Sequence, residues 1–278
     1  MTALRSPLLV LGATLVSGLT LAAVGAPMIA PYDPRELAGS GLESPSGAHL
    51  LGTNLIGQDI ASQLIWGARA SLTVGIGAAA LGVVLGVLVG VSAGLRGGVV
   101  DLLLMRAVDV LLAIPSLPLI VLVVALTGAS RVGLILLLGF LFWPPISRVV
   151  RSQTLTVAQR GFVTAAQGFG GGVWYLIRRH LVPALGPIVV AEFVAFAGNA
   201  IALEAALAFL GLGDPTGISW GLMISTALAT PGIYFVPAWT WWVLPAGIAI
   251  TLAILGFTFL GVGLEPLLNP RWRRTGQH

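Results

Sequence analysis

Six apolar runs, at 8–26, 70–94, 102–126, 132–147, 185–210 and 240–261, constrain this chain more than any other feature. A helix crosses about 30 Å of hydrocarbon with roughly 20 apolar residues, because its backbone polar groups must be satisfied within the segment. The expected fold is therefore an all-α membrane protein with six spanning helices. Composition agrees: 57% of the residues are apolar, 9% are charged, and the mean hydropathy is +0.99, far above a water-soluble domain. The fourth run is short and ends in Trp143-Pro144-Pro145, where consecutive prolines remove helix donors and bend the chain.

Arginine placement predicts the orientation. All 14 basic residues are Arg. With the N-terminus inside, the inner segments hold Arg5, Arg96, Arg106, Arg148, Arg151, Arg160, Arg178, Arg179, Arg271, Arg273 and Arg274, against Arg35, Arg69 and Arg131 outside. That asymmetry puts both termini in the cytoplasm. Trp239, Trp241 and Trp242 fall at the outer start of the last run, where indole rings favour the membrane interface. The first run also has signal-peptide features, with Arg5 before it and Val24-Gly25-Ala26 at its end, but it is longer than a typical signal core and is read as a retained helix. The chain divides into 1–69, a first helix with an external segment; 70–265, a membrane core with a cytoplasmic loop at 148–184; and 266–278, a cytoplasmic tail.

The absence of lysine excludes the usual phosphate-binding P-loop, which needs one, so any ATP hydrolysis must belong to a partner. There is no cysteine, which excludes disulfides and thiolate metal centres. His49, His180 and His278 are too far apart for a local metal motif. No metal, cofactor or nucleic-acid partner is expected for this chain.

Gly82, Gly86, Gly90 and Gly94 share one helix face, a stripe that lets another helix approach closely. Gly217-Ile218-Ser219-Trp220-Gly221 matches the nucleophile-elbow pattern of serine hydrolases, but that elbow needs a strand-turn-helix context. His180 falls at the opposite membrane face, which leaves only His49 as a base. Ionisable residues inside spans are costly and are candidates for function. Here they are Asp109, Glu192 and Glu204, read as translocation-path candidates. Against that reading stands a structural one, in which they bond to neighbouring helices or are protonated. The two stand level for Glu204, and the structural one is preferred for Asp109, which is within reach of Arg106.

The inner loop reads Phe162-Val163-Thr164-Ala165-Ala166-Gln167-Gly168-Phe169-Gly170, then nine residues, then His180-Leu181-Val182-Pro183. This resembles the signature loop of ATP-binding-cassette importer permeases. Four further segments resemble the second, C-type permease subunit of the dipeptide, oligopeptide and nickel class. They are His49 to Asp59 with Ile65 to Leu72; Val108 to Ser116; Glu204 to Gly213 with Ser219-Trp220-Gly221; and Gly261 to Leu264 with Asn269-Pro270-Arg271. The resemblance implies a type I importer permease in a bacterial cytoplasmic membrane. It implies as partners a homologous second permease, two cytoplasmic ATPase subunits carrying ATP and magnesium, and an external substrate-binding protein. It implies that Thr164, Ala165, Ala166, Gly170, His180 and Pro183 contact the ATPase through a short coupling helix, and that the solute is a peptide or a nickel chelate. An ion-driven secondary transporter is the alternative, and an intramembrane serine hydrolase a more distant one. The chain departs from the family pattern at Thr164, where Glu is usual; at Gln167, often basic; at Asn54, Gln58 and Gln63, where Asp, Arg and Arg are common; and at Val262, usually Asp.

Overall fold

The structure, a computed structural model, describes residues 6–268. The readings placed on Arg5, on Asn269 to Arg271, on Arg273 and Arg274 and on most of the 266–278 tail lie outside the described residues.

Among the described residues ten α-helices follow in order: α1 (Pro7–Ile29), α2 (Ile60–Arg96), α3 (Gly98–Ala113), α4 (Ser116–Thr127), α5 (Arg131–Ala158), α6 (Gly161–Gly168), α7 (Val173–Leu176), α8 (Val182–Leu207), α9 (Trp220–Ala229) and α10 (Ala238–Leu268). Five stretches are long and apolar enough to cross a bilayer, namely α1, α2, α5, the continuous 173–212 stretch through α8, and α10; the α3–α4 pair makes a sixth if it is counted as one bent span.

The α2 helix is the spine. Its 37 residues reach about 55 Å at 1.5 Å per residue, so it begins well before the apolar run that announced it. The glycine stripe does what its spacing predicts. A Cβ on Gly86 would sit 2.7 Å from Ile146, one on Gly90 2.6 Å from the Ser147 carbonyl oxygen, and one on Gly94 2.7 Å from Thr154. All three neighbours lie on α5, so the bare glycine face sets how closely the two backbones approach. A second close crossing joins α1 to α10. There Gly12 abuts the backbone at Gly256 and Leu260, and Gly263 abuts Leu9. The first helix thus packs closely on the last.

Two spans differ from the sequence reading. The third is not continuous over 102–126: it breaks at Ile114-Pro115, and α3 and α4 meet at 80°. Pro115 disfavours the helical conformation at the residue before it, and Ile114 is extended, with φ −81° and ψ 127°. The fourth does not stop at Pro144-Pro145; α5 runs through both prolines to Ala158. The Ser147 hydroxyl donates to the Pro144 carbonyl at 2.6 Å, and packing against α2 holds the helix together across the missing donors. The 148–184 stretch is therefore mostly helical. Only 159–172 departs from the two long helices, and it contains α6.

Trp242 also departs from its expected place. It is 1% exposed and belongs to the core, while Trp241 packs on Gly52, whose Cβ would meet its Nε1 at 3.0 Å. Of the three tryptophans only Trp239 is exposed.

Candidate functional site

The helices leave two contrasting faces, one carrying residues 30–59 (the cap face) and the other carrying 159–181 (the loop face). On the cap face the chain closes on itself. Asp59 caps α2, its carboxylate accepting from the Ser62 N–H at 2.8 Å and the Ser62 hydroxyl at 2.7 Å. It also accepts from His49 Nδ1 at 3.0 Å, both side chains being buried. Asn54, Gln58 and Gln63 form a neutral chain: the Asn54 and Gln63 amides each donate to Gln58 Oε1 at 2.8 Å, and Gln63 also donates to the Pro34 carbonyl. Charged residues are common at these three positions in the resembled family, yet here the amides satisfy one another without any charge. Glu43 accepts the Ser40 N–H, and this bond holds its carboxyl below the ordinary value.

The cap face also disposes of the hydrolase motif. Ser219 caps α9, accepting from the Leu222 N–H at 3.3 Å. A Cβ on Gly221 would meet the Ala205 carbonyl at 2.5 Å, so that glycine marks a close helix crossing. Trp220 is buried, its Nε1–H donating to the Leu64 carbonyl at 2.9 Å. The His49 ring is buried, with Nδ1 on Asp59 and Nε2 facing Gly39. The motif is a helix start packed against α2 and α8.

Of the path candidates, Glu204 is 3% exposed and accepts from the Ser71 hydroxyl at 2.9 Å, with the Ser219 side chain as a further hydrogen-bond partner. Asp109 is half exposed and pairs with Arg148 of α5 at 2.5 Å; the expected partner Arg106 is farther, at 3.8 Å. One turn from Arg148, Arg151 engages both oxygens of Asp101, a pairing across α3 and α5 that the sequence did not suggest. Glu192 differs from these. It is partly exposed and lines an open cleft of about 1210 Å³ between α5, α8 and α10.

On the loop face the proposed contact residues fall into one structure. Thr164, Ala165 and Ala166 lie in α6, and Ala165 is exposed. The helix ends with the Gly171 N–H donating to the Ala166 carbonyl at 2.8 Å and Gly170 at φ +83°. This is a Schellman stop, in which a left-handed residue turns the chain back over the last helical turn. A branched residue resists that conformation. Val163, Leu176 and Leu181 are buried anchors, whereas Phe162, Phe169, Trp174 and Tyr175 are exposed, Phe169 at 94%. His180 lies between two of these rings, 5.3 Å from Phe162 and 5.6 Å from Tyr175, with Nε2 buried and unbonded among the described residues. It sits in a wide π-helical turn, Ile177–Leu181, just before Pro183, which has no N–H and whose ring displaces the preceding turn. Pro183 itself is exposed and lines the cleft with Glu192. Sequence reasoning missed the aromatic rings, though their position beside a predicted coupling helix was a usable signal.

Comparison with known proteins agrees with this architecture. Residues 82–274 match the family model described as the inner membrane component of binding-protein-dependent transport systems. The chain is 33% identical over 264 residues to a putative peptide permease protein of Brucella suis, covering 94% of this chain and 86% of that protein. It is 33% identical to a dipeptide transport system permease of Alkalihalophilus pseudofirmus, covering 97% and 88%. It is 32% identical to a probable D,D-dipeptide transport system permease of Escherichia coli, covering 96% and 88%. With its spanning helices, its α6 loop and these similarities, the chain belongs to the inner-membrane permeases of binding-protein-dependent, ATP-binding-cassette importers, as a multi-pass and non-enzymatic subunit.

Proposed function

We propose that this permease translocates peptides, with the loop face in the cytoplasm and the cap face outside. The similarity to peptide and dipeptide permeases supports the solute class, and the excess of arginine on the loop side supports the orientation. The observation that carries the mechanism is α6, a short helix with a fixed Schellman stop, held between two long spans and ringed by exposed aromatic side chains.

On this reading α6 docks on an ATPase subunit through Ala165 and the Phe162, Phe169 and Trp174 rings. A rigid lever of this kind passes ATP-driven closure into α5 and α8, the spans on either side of it. ATP and magnesium are held by the ATPases. A homologous permease completes the path, and a binding protein delivers solute at the cap face.

The naturally cysteine-free chain makes the orientation directly measurable. Cysteine placed at Ser46 reacts with a membrane-impermeant maleimide added outside intact cells, whereas cysteine placed at Gln159 does not. Labelling at Gln159 with protection at Ser46 would reverse the assignment.

A further inference from the structure

The carboxylates of α3 and α8 divide into matched and unmatched. Asp101 is held by Arg151, Asp109 by Arg148, and Glu204 by Ser71. Glu192 alone among them has neither an ion pair nor a hydrogen bond among the described residues, although it stands inside a spanning helix. An intramembrane carboxylate left without a partner is costly, so its retention calls for a cationic partner.

Its surroundings say what kind of cation fits. Ten residues into α8, Glu192 is about 15 Å along the axis from the loop-face end. It lines the cleft together with the charged residues Arg160 and Glu265 and the neutral polar side chains Gln153, Thr156, Asn199 and Thr258. Pro187, also in the lining, has no N–H to give the Pro183 carbonyl, which adds a backbone acceptor to the same wall. At about 1210 Å³ the cleft exceeds the roughly 300–1,000 Å³ of ordinary small-molecule sites, so it admits a solute of several residues. No group of three or more metal-ligating side chains occurs among the described residues, and two carboxylates in a cleft shared with an arginine are a poor cage for a bare divalent ion. An organic ammonium, which needs one counter-charge and a few acceptors, fits better.

We infer that Glu192 is the counter-charge for the ammonium group of the translocated solute in the loop-face half of the path. The inference rests on the permease reading above and makes Glu192 a specificity-determining residue of that path. Asn199 lies two turns along the same exposed face of α8 and reports on the cleft.

The test uses the assembled importer, with both permeases, the ATPases and the binding protein, in proteoliposomes. In an Asn199→Cys background, a cationic methanethiosulfonate reagent reacts faster than an anionic one by about tenfold more than their ratio on a free thiol. Glu192→Gln abolishes that excess. With Asn199 intact, Glu192→Gln lowers dialanine uptake about tenfold at unchanged complex yield, and Glu192→Asp retains most of it. If cysteine at 199 reacts but Glu192→Gln alters neither the charge preference nor uptake, the inference is wrong and the path reading stands. Reaction unaffected by Glu192→Gln together with a parallel loss of yield and uptake assigns Glu192 to subunit packing and overturns the inference. If cysteine at 199 does not react at all, the path reading fails and takes the inference with it.

Discussion

The cap face and the loop face are built from the same chain but finished to different degrees. On the cap face the polar groups of the 30–59 segment find partners close by: His49 has Asp59, Gln63 has Gln58 and Pro34, and Asn54 accepts from the Ile56 and Gln58 N–H groups, although Trp241 Nε1, packed on Gly52, has none among the described residues. On the loop face the local structure is equally definite, with a Schellman stop and three buried anchors. Yet Phe162, Phe169, Trp174 and Tyr175 point outward, and His180 Nε2 is left without a bond among the described residues. A segment that satisfies its own polar groups is stable without help, whereas large rings left in water are characteristic of a surface that a partner covers. Rings are exposed on the cap side too, Phe235 at 93% and Tyr234 at 67%, so the difference is one of polar closure: residues 30–59 complete their own hydrogen-bond network, and 159–181 do not.

The sharpest way to break this comparison is to remove the hub of the cap. Asp59→Ala deletes the α2 cap and leaves His49 buried without its acceptor, for an expected loss of about 3 kcal/mol. Thermal unfolding of the detergent-solubilised complex measures it, and an unchanged midpoint would show that the cap is not self-supporting. On the loop face the expectation is the opposite. Phe169→Ala removes the most exposed ring, so stability changes by less than about 0.5 kcal/mol, while co-purification of the ATPase subunits falls. A mutant that loses thermal stability yet retains its ATPases would place Phe169 in the fold.

The smallest effect concerns pH. The Ser40 N–H holds the Glu43 carboxyl below its ordinary value, so the ionised form is favoured by the folded loop. The stabilisation is therefore present above the ordinary carboxylate range and fades as pH falls through it towards the depressed value. Amide exchange at Ser40, taken relative to its intrinsic rate at each pH, is the suitable probe. Protection should weaken on acidification in the wild type and be low at every pH in Glu43→Gln.

Much of this was readable from the residues, and the parts that were not share a cause. The apolar runs and the Gly82–Gly94 stripe are local patterns, and local patterns carry the period of a helix. Pro115 and Pro144-Pro145 gave opposite results from the same residue type. A proline breaks a helix where little packs around it, as between α3 and α4, but not where a neighbour as close as α2 supports the backbone. Composition cannot tell these cases apart. The Glu204 partner Ser71 lies 133 positions away, and the Asp101–Arg151 pair spans 50. Such contacts exist only after the helices have packed. The α6 segment stood out through its resemblance to a family motif, and Gly170 through the conformational demand of a turn. The rings around it were overlooked because apolar residues in a membrane chain draw no notice.

The central claim is that α6 is a lever whose shape is fixed by Gly170. Gly170→Val tests it most directly, because a Cβ there meets no atom within 4 Å, so only the positive φ is challenged. In the reconstituted importer the account predicts normal membrane abundance and assembly, with solute-loaded binding protein no longer stimulating ATP hydrolysis and uptake lost. Stimulated hydrolysis and uptake at wild-type levels, with the variant shown to be in the membrane, would contradict it.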